Sequence, residues 1–167
     1  MPGQAWLEGV RAFCGEIGLR PLVVTQVGRD AERNRELAGL LNAGLIDWKN
    51  EPHAVQERRL RAVYEKSALV LSDRLHVLIL AFTEGAVPLC MLDRPEDKIG
   101  RHFDAVGYTG TSIDVSELSA EQVAQRLMVA MGRQAEAEAA RTRATEMIAE
   151  VGRELRELVR SRVHRTG

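Results

Sequence analysis

Ala68-Leu69-Val70-Leu71-Ser72-Asp73-Arg74-Leu75-His76-Val77-Leu78-Ile79-Leu80-Ala81-Phe82 is the stretch whose reading decides the fold. Its first four residues form a short apolar segment of buried-strand type. Its last six are too uniformly apolar for anything but a buried helix running on from Ser72-Asp73-Arg74-Leu75-His76. Ser72 or Asp73 is the expected N-cap, Gly85 a helix stop, and Val87 to Leu92 the next strand. An Arg and a His thus stand in the first turn of a helix at the carboxyl end of a strand, the edge where open α/β sheets bind ligands. Unpaired N–H groups at the helix start and the planar cationic fork of Arg74 call for an anionic phosphate or carboxylate.

The same alternation extends on both sides. Trp6, Val10, Phe13 and Ile17 mark one face of an opening helix that Gly18 ends, and Leu22 to Gln26 reads as a strand. Asp30 caps a second helix with Leu37, Leu40 and Leu41 inward. Leu45-Ile46 is a short strand, and 54–66 a third helix carrying Val55, Leu60, Val63 and Tyr64. Beyond the Val87 strand, 93–97 reads as a loop and helix start, with Ile99, Phe103 and Val106 as the next inner stripe and Gly107 its end. Tyr108 to Ile113 can add an edge strand. Strands alternating with helices of about ten residues predict βαβ units and a parallel sheet, a Rossmann-like half flanked by helices.

From Ser119 the pattern changes to helix alone. Val123, Leu127 and Ala130 mark one helix, and 135 to about 163 a long second one with Met147, Ile148, Val151, Leu155, Leu158 and Val159 on one side. Its other faces alternate Glu and Arg, as a solvated surface does. The expected division is 1–118 for the α/β domain and 119–167 for a C-terminal helical extension. A helix of ~30 residues is ~45 Å long, more than a sheet domain of this size can cover. The stripe therefore calls for a partner, unless the helix bends at Gly132 or Gly152 and folds back.

At 167 residues the chain holds one sizeable core and is too short for two full α/β domains. Aromatics are only 4%, so aliphatic side chains fill the core. A formal charge of −1 gives no reason to expect nucleic acid as partner. Cys14 and Cys90 make no zinc or CxxC pattern, and Cys90, inside a strand, is expected buried and reduced. No signal peptide is recognisable and no segment approaches the ~20 apolar residues of a membrane span, so a cytoplasmic location is expected, at most at the inner face of the membrane. His53, His102 and His164 have no partners at metal-ligand spacing and are expected at the surface. Nucleophile-elbow, P-loop and G-x-G-x-x-G patterns are missing from the sequence.

Ser72-Asp73-Arg74-Leu75-His76, the apolar helix through Ala81, Gly85-Ala86-Val87-Pro88 and Lys98-Ile99 together resemble the polysaccharide pyruvyl transferase family, specifically the C-terminal half of those enzymes, over roughly Leu22 to Gly107. The resemblance implies a GT-B-type architecture, with the active site between two Rossmann-like halves of which this chain is the donor-binding one. It implies phosphoenolpyruvate as donor and a glycan or lipid-linked saccharide of the bacterial cell envelope as acceptor, with no cofactor. Arg74 and His76 then form the donor site together with Leu75: Arg74 holds the phosphate or carboxylate, and His76 touches the same anion and carries the proton. Lys98, opening a helix after a strand on the same edge, is an anion contact or a solvated charge beside Glu96 and Asp97. Arg29 is a further anion contact, while Asp30 reads as an N-cap. The missing N-terminal half, or a second copy through the C-terminal helix, is the expected macromolecular partner. Two other readings stay open. One is the nucleotide-sugar half of a GT-B glycosyltransferase or sugar epimerase, for which Glu84 and Asp93 are the nearby acids; the other is a non-catalytic α/β assembly domain.

Overall fold

The computed structural model describes residues 1–94 and 98–163. Seven α-helices and five strands follow in the order α1 (Gln4–Ile17), β1 (Leu22–Val24), α2 (Ala31–Leu41), β2 (Gly44–Ile46), α3 (His53–Tyr64), β3 (Leu69–Leu71), α4 (Leu75–Thr83), β4 (Val87–Leu92), α5 (Lys98–Asp104), β5 (Ser112–Asp114), α6 (Ala120–Met131) and α7 (Gln134–Val163). A 3-10 turn over Gly28–Asp30 leads into α2. Every observed strand pairing is parallel, as crossovers through helices require. The strands form two small sheets, β1-β2 and β3-β4-β5, rather than the single sheet expected from the alternation. Most strands are three residues long, so few backbone bonds tie the two sheets and helices carry the framework between them.

β4 lies at the centre and is buried on both faces, which is why Val87 to Met91 reads as a continuous apolar run. On one side Leu89 and Met91 pack with Val23 of β1, Leu7, Val10 and Phe13 of α1, and Val123 and Leu127 of α6. On the other, Val87 and Cys90 join Leu78 and Phe82 of α4, Phe103 of α5, Tyr108, and Ala137 and Ala140 of α7. A third cluster sets Leu60 and Tyr64 of α3 against Val77 and Ala81 of α4. The α1–α6 crossing is close enough that a Cβ at Gly9 would stand 2.6 Å from the Val123 side chain. α6 opens with a capping box, the Ser119 hydroxyl accepting from the Gln122 N–H. The two cysteines are free, Cys90 fully buried.

Gly18 ends α1 with φ of +66° and Gly85 follows α4 with φ of +106°, both where the sequence places stops. Several finer expectations are corrected. The N-cap position of α4 is Arg74, not Ser72 or Asp73; Ser72 instead accepts the Arg74 N–H on its hydroxyl at 3.1 Å. Leu40 and Val55 are exposed, and the inner faces of their helices run through Ala38 with Leu41 and through Gln56, Leu60 and Tyr64. α7 continues unbroken through Gly152; the chain turns at Gly132. The expected helix start at 95–97 and His164 lie outside the described residues.

Candidate functional site

Within each sheet the strands run parallel, so the segments that follow them lie at that sheet's carboxyl edge: 25–30 after β1 and 47–52 after β2 in one, 72–74 after β3 and 93–94 after β4 in the other. Arg74 stands there, at the head of α4. No side chain caps that helix, so its first-turn N–H groups lack a cap acceptor. The Arg74 guanidinium donates to Asp30 Oδ2 at 2.6 Å, tying the segment after β3 to the turn after β1. Asp30 holds the N-cap position of α2 but makes no capping bond; its carboxylate is turned to Arg74 instead. Arg33 lies 3.9 Å from Asp73 across the same junction.

The Arg74 side chain remains 37% exposed and uses one of its five donors on Asp30, so a face of the fork stays open to an incoming anion. Arg29, in the turn that carries Asp30, is exposed, as are His76 in the first turn of α4 and Lys98 at the start of α5. Leu75 is half-buried against the α4–α5 cluster and can offer a ligand only its backbone N–H. Arg29, Arg33 and Arg74 are balanced by Asp30, Glu32 and Asp73 before His76 is counted. The structure thus joins Arg74 directly to Asp30 and places Arg29 and His76 on adjoining turns. Among the described residues no hydrogen bond or ion pair links Lys98 to Arg74 or His76.

Of the acids named for a nucleotide-sugar site, Glu84 sits at the C-cap of α4, the far end of that helix, and pairs with Arg61. Asp93 is exposed at the carboxyl edge after β4. Next to it the backbone turns at Arg94, with φ of +52°, and Asp114 accepts the N–H groups of Ser116 at 2.9 Å and Arg94 at 3.1 Å. Those bonds, Ser116's first, hold the Asp114 carboxyl below its ordinary range.

Sequence reasoning missed a second feature of this edge. Gln26, Trp48, His53, Gln56, Glu57 and Leu60 line a cavity of about 220 Å³ between the segments after β1 and β2 and the first turns of α3. Gln56 is 97% buried, yet neither its amide nitrogen nor its amide oxygen has a partner. Beside it the Gln26 amide reaches the Tyr64 hydroxyl at 3.5 Å. Burial pushes Tyr64 up to about 12, against the Gln26 contact, which lowers it. A signal for Gln56 was present: it lies four residues before Leu60 and eight before Tyr64, on the inner stripe of α3.

No family model, curated protein or solved structure matches this chain. Among the described residues no helix is long and apolar enough to cross a membrane, and no group of His, Cys, Asp and Glu is placed to hold a metal ion.

Proposed function

We propose that this chain is the phosphoenolpyruvate-binding half of a pyruvyl transferase that builds a pyruvyl ketal on a glycan. The observation that carries the reading is Arg74 at the uncapped head of α4, held by Asp30 with part of its fork free and with exposed His76 in the first turn of the same helix. An anion there meets a helix start and a planar cation together. In the reaction two sugar hydroxyls add to C2 and lose their protons, C3 of the enolpyruvyl group gains one proton, and phosphate departs carrying the other. Arg74 holds the phosphate or carboxylate and stabilises the leaving charge. His76 supplies the C3 proton as a general acid. Arg29 and Lys98 are secondary anion contacts, and a second α/β half in a GT-B arrangement supplies the wall that positions the acceptor. The nucleotide-sugar alternative loses Glu84 to Arg61 at the opposite end of α4.

Thermal shift against phosphoenolpyruvate, inorganic phosphate, UDP and CMP tests the proposal. Phosphoenolpyruvate at 100 times its dissociation constant is expected to stabilise the fold by ~2.7 kcal/mol, well beyond any effect of the nucleotides. Selective stabilisation by UDP or CMP contradicts the reading.

A further inference from the structure

We propose that the far half of α7 pairs antiparallel with the same segment of a second copy of this chain, in a two-fold dimer whose α/β bodies stand at opposite ends of the paired helices. Ala137 and Ala140 are buried in the chain's own core with Phe82 and Tyr108, and Ala144 is half-buried one turn further on. Ile148, Val151, Leu155 and Leu158 continue that same face, since residues three and four apart stack along an α-helix. From Thr145 to Arg160 every residue except Gly152 is exposed. Met147, Ile148, Val151, Leu155 and Val159 each have half or more of their surface in water. One unbroken helix thus runs ~27 Å beyond Thr145 with an apolar face exposed.

The direction of pairing follows from where the chain's own body sits. The body covers this face over Ala137 and Ala140, so a parallel partner would drive its own first turns and its own body into occupied space. An antiparallel partner centred on Arg153 brings its Arg160 level with Glu146, short of those buried turns. The same register sets Ile148 opposite the partner's Leu158 and Val151 opposite the partner's Leu155, alternating layers as in an antiparallel helix pair. Glu146 and Glu150 lie toward the anchored end and Arg156 and Arg160 toward the free end, so acids and arginines come to the same levels along the axis. The two helix dipoles also oppose. Five exposed apolar side chains from each copy, at about 100 Å² apiece, hide roughly 1,000 Å², the lower limit of a specific interface and enough for micromolar association. A bilayer is a poorer cover. Over 146–163 four Glu offset four Arg, leaving no cationic excess to hold anionic lipid.

The dimer involves neither Arg74 nor phosphoenolpyruvate, and its test uses no ligand. Light scattering on size-exclusion eluates of the full chain, loaded at tens of micromolar, is expected to give a dimer. Val151→Glu combined with Leu155→Glu, both beyond the anchored turns, is expected to give a monomer that still melts cooperatively. Disulfide capture then reads the direction. In a Cys14→Ala background, where the native thiol left is the buried Cys90, Ile148→Cys and Leu158→Cys chains are mixed in equal amounts and oxidised. The mixture is expected to yield a covalent heterodimer, resolved by mass. Either chain alone is expected to stay uncrosslinked, because like positions stand ~15 Å apart along the axis of an antiparallel pair. A monomeric full chain, a dimer that survives the double Glu substitution, a crosslinked homodimer of Ile148→Cys alone, or an uncrosslinked mixture each overturns the proposal. So does co-sedimentation of the full chain with phosphatidylglycerol vesicles, which would make a lipid surface the cover.

Discussion

Arg74 and Asp30 are 44 residues apart in sequence and 2.6 Å apart in space, and that ion pair sets how an anion meets this edge. It orients the guanidinium and partly neutralises it, so any incoming anion competes with Asp30 for the fork. With the Arg74 side chain 37% and the Asp30 side chain 22% exposed, water screens the pair, and it contributes no more than about 1 kcal/mol to stability. Asp30→Asn keeps the shape and removes the competing charge. It is expected to lower the melting temperature by no more than a few degrees and to tighten phosphoenolpyruvate binding severalfold, both readable from one melting series with and without ligand. Binding weakened by Asp30→Asn would mean that the carboxylate is needed to aim Arg74 at the anion. The sequence places Arg74 and His76 at the sheet edge but cannot show Asp30 leaving its capping role, because that depends on a contact between distant segments. Asp is an equally good N-cap or ion-pair partner, and only the fold selects one.

At the scale of elements, α7 is two things in one helix. Its first turns are anchored: Ala137 and Ala140 are buried, Arg141 donates to the Phe82 carbonyl, and Arg143 donates to the carbonyls of Val106 and Gly107. Beyond them Ile148 is 74% exposed, and Val151, Leu155 and Leu158 are more than half exposed. Their 3-4-3 spacing is the seam of a helix pair. Light scattering on size-exclusion eluates is expected to show self-association of the full chain and a monomer for a chain ending at Thr145, which keeps the anchors and removes the stripe. A monomeric full chain would show that a second copy does not cover the stripe. Helix and strand identities were legible where the local period is strong, as in the α1 stripe, the buried α4 run and the Val123, Leu127 and Ala130 stripe of α6. On α2 and α3 the expected Leu41, Leu60 and Tyr64 are buried, while Leu40 and Val55 are exposed and Ala38 and Gln56 face inward in their place, because these helices are mostly polar. Their few apolar residues fit two rotations about the helix axis, and packing against β1 and α4 chooses between them.

For the whole molecule, parallel strands and right-sized crossovers were readable, while the division into two sheets was not. Periodicity identifies a strand but does not say which neighbour it bonds, and strands of three residues leave that choice to helix packing. The consequence for function is that the carboxyl edge is assembled by side chains bridging the segments after β1, β2 and β3 rather than by one continuous ladder. Arg74 bonding Asp30 is such a bridge, between the segments after β3 and β1. The proposed function rests on this edge holding phosphoenolpyruvate through Arg74. Titration calorimetry of phosphoenolpyruvate into the wild-type chain, Arg74→Ala and Arg74→Lys tests it most directly. Losing a charge-assisted bond to the anion is worth roughly 1.5–3 kcal/mol, so Arg74→Ala is expected to bind at least tenfold more weakly, with its fold intact. Arg74→Lys is expected to fall between them, since it restores the charge without the bidentate fork. Equal affinity across all three proteins, or no heat from the wild type, would contradict the claim.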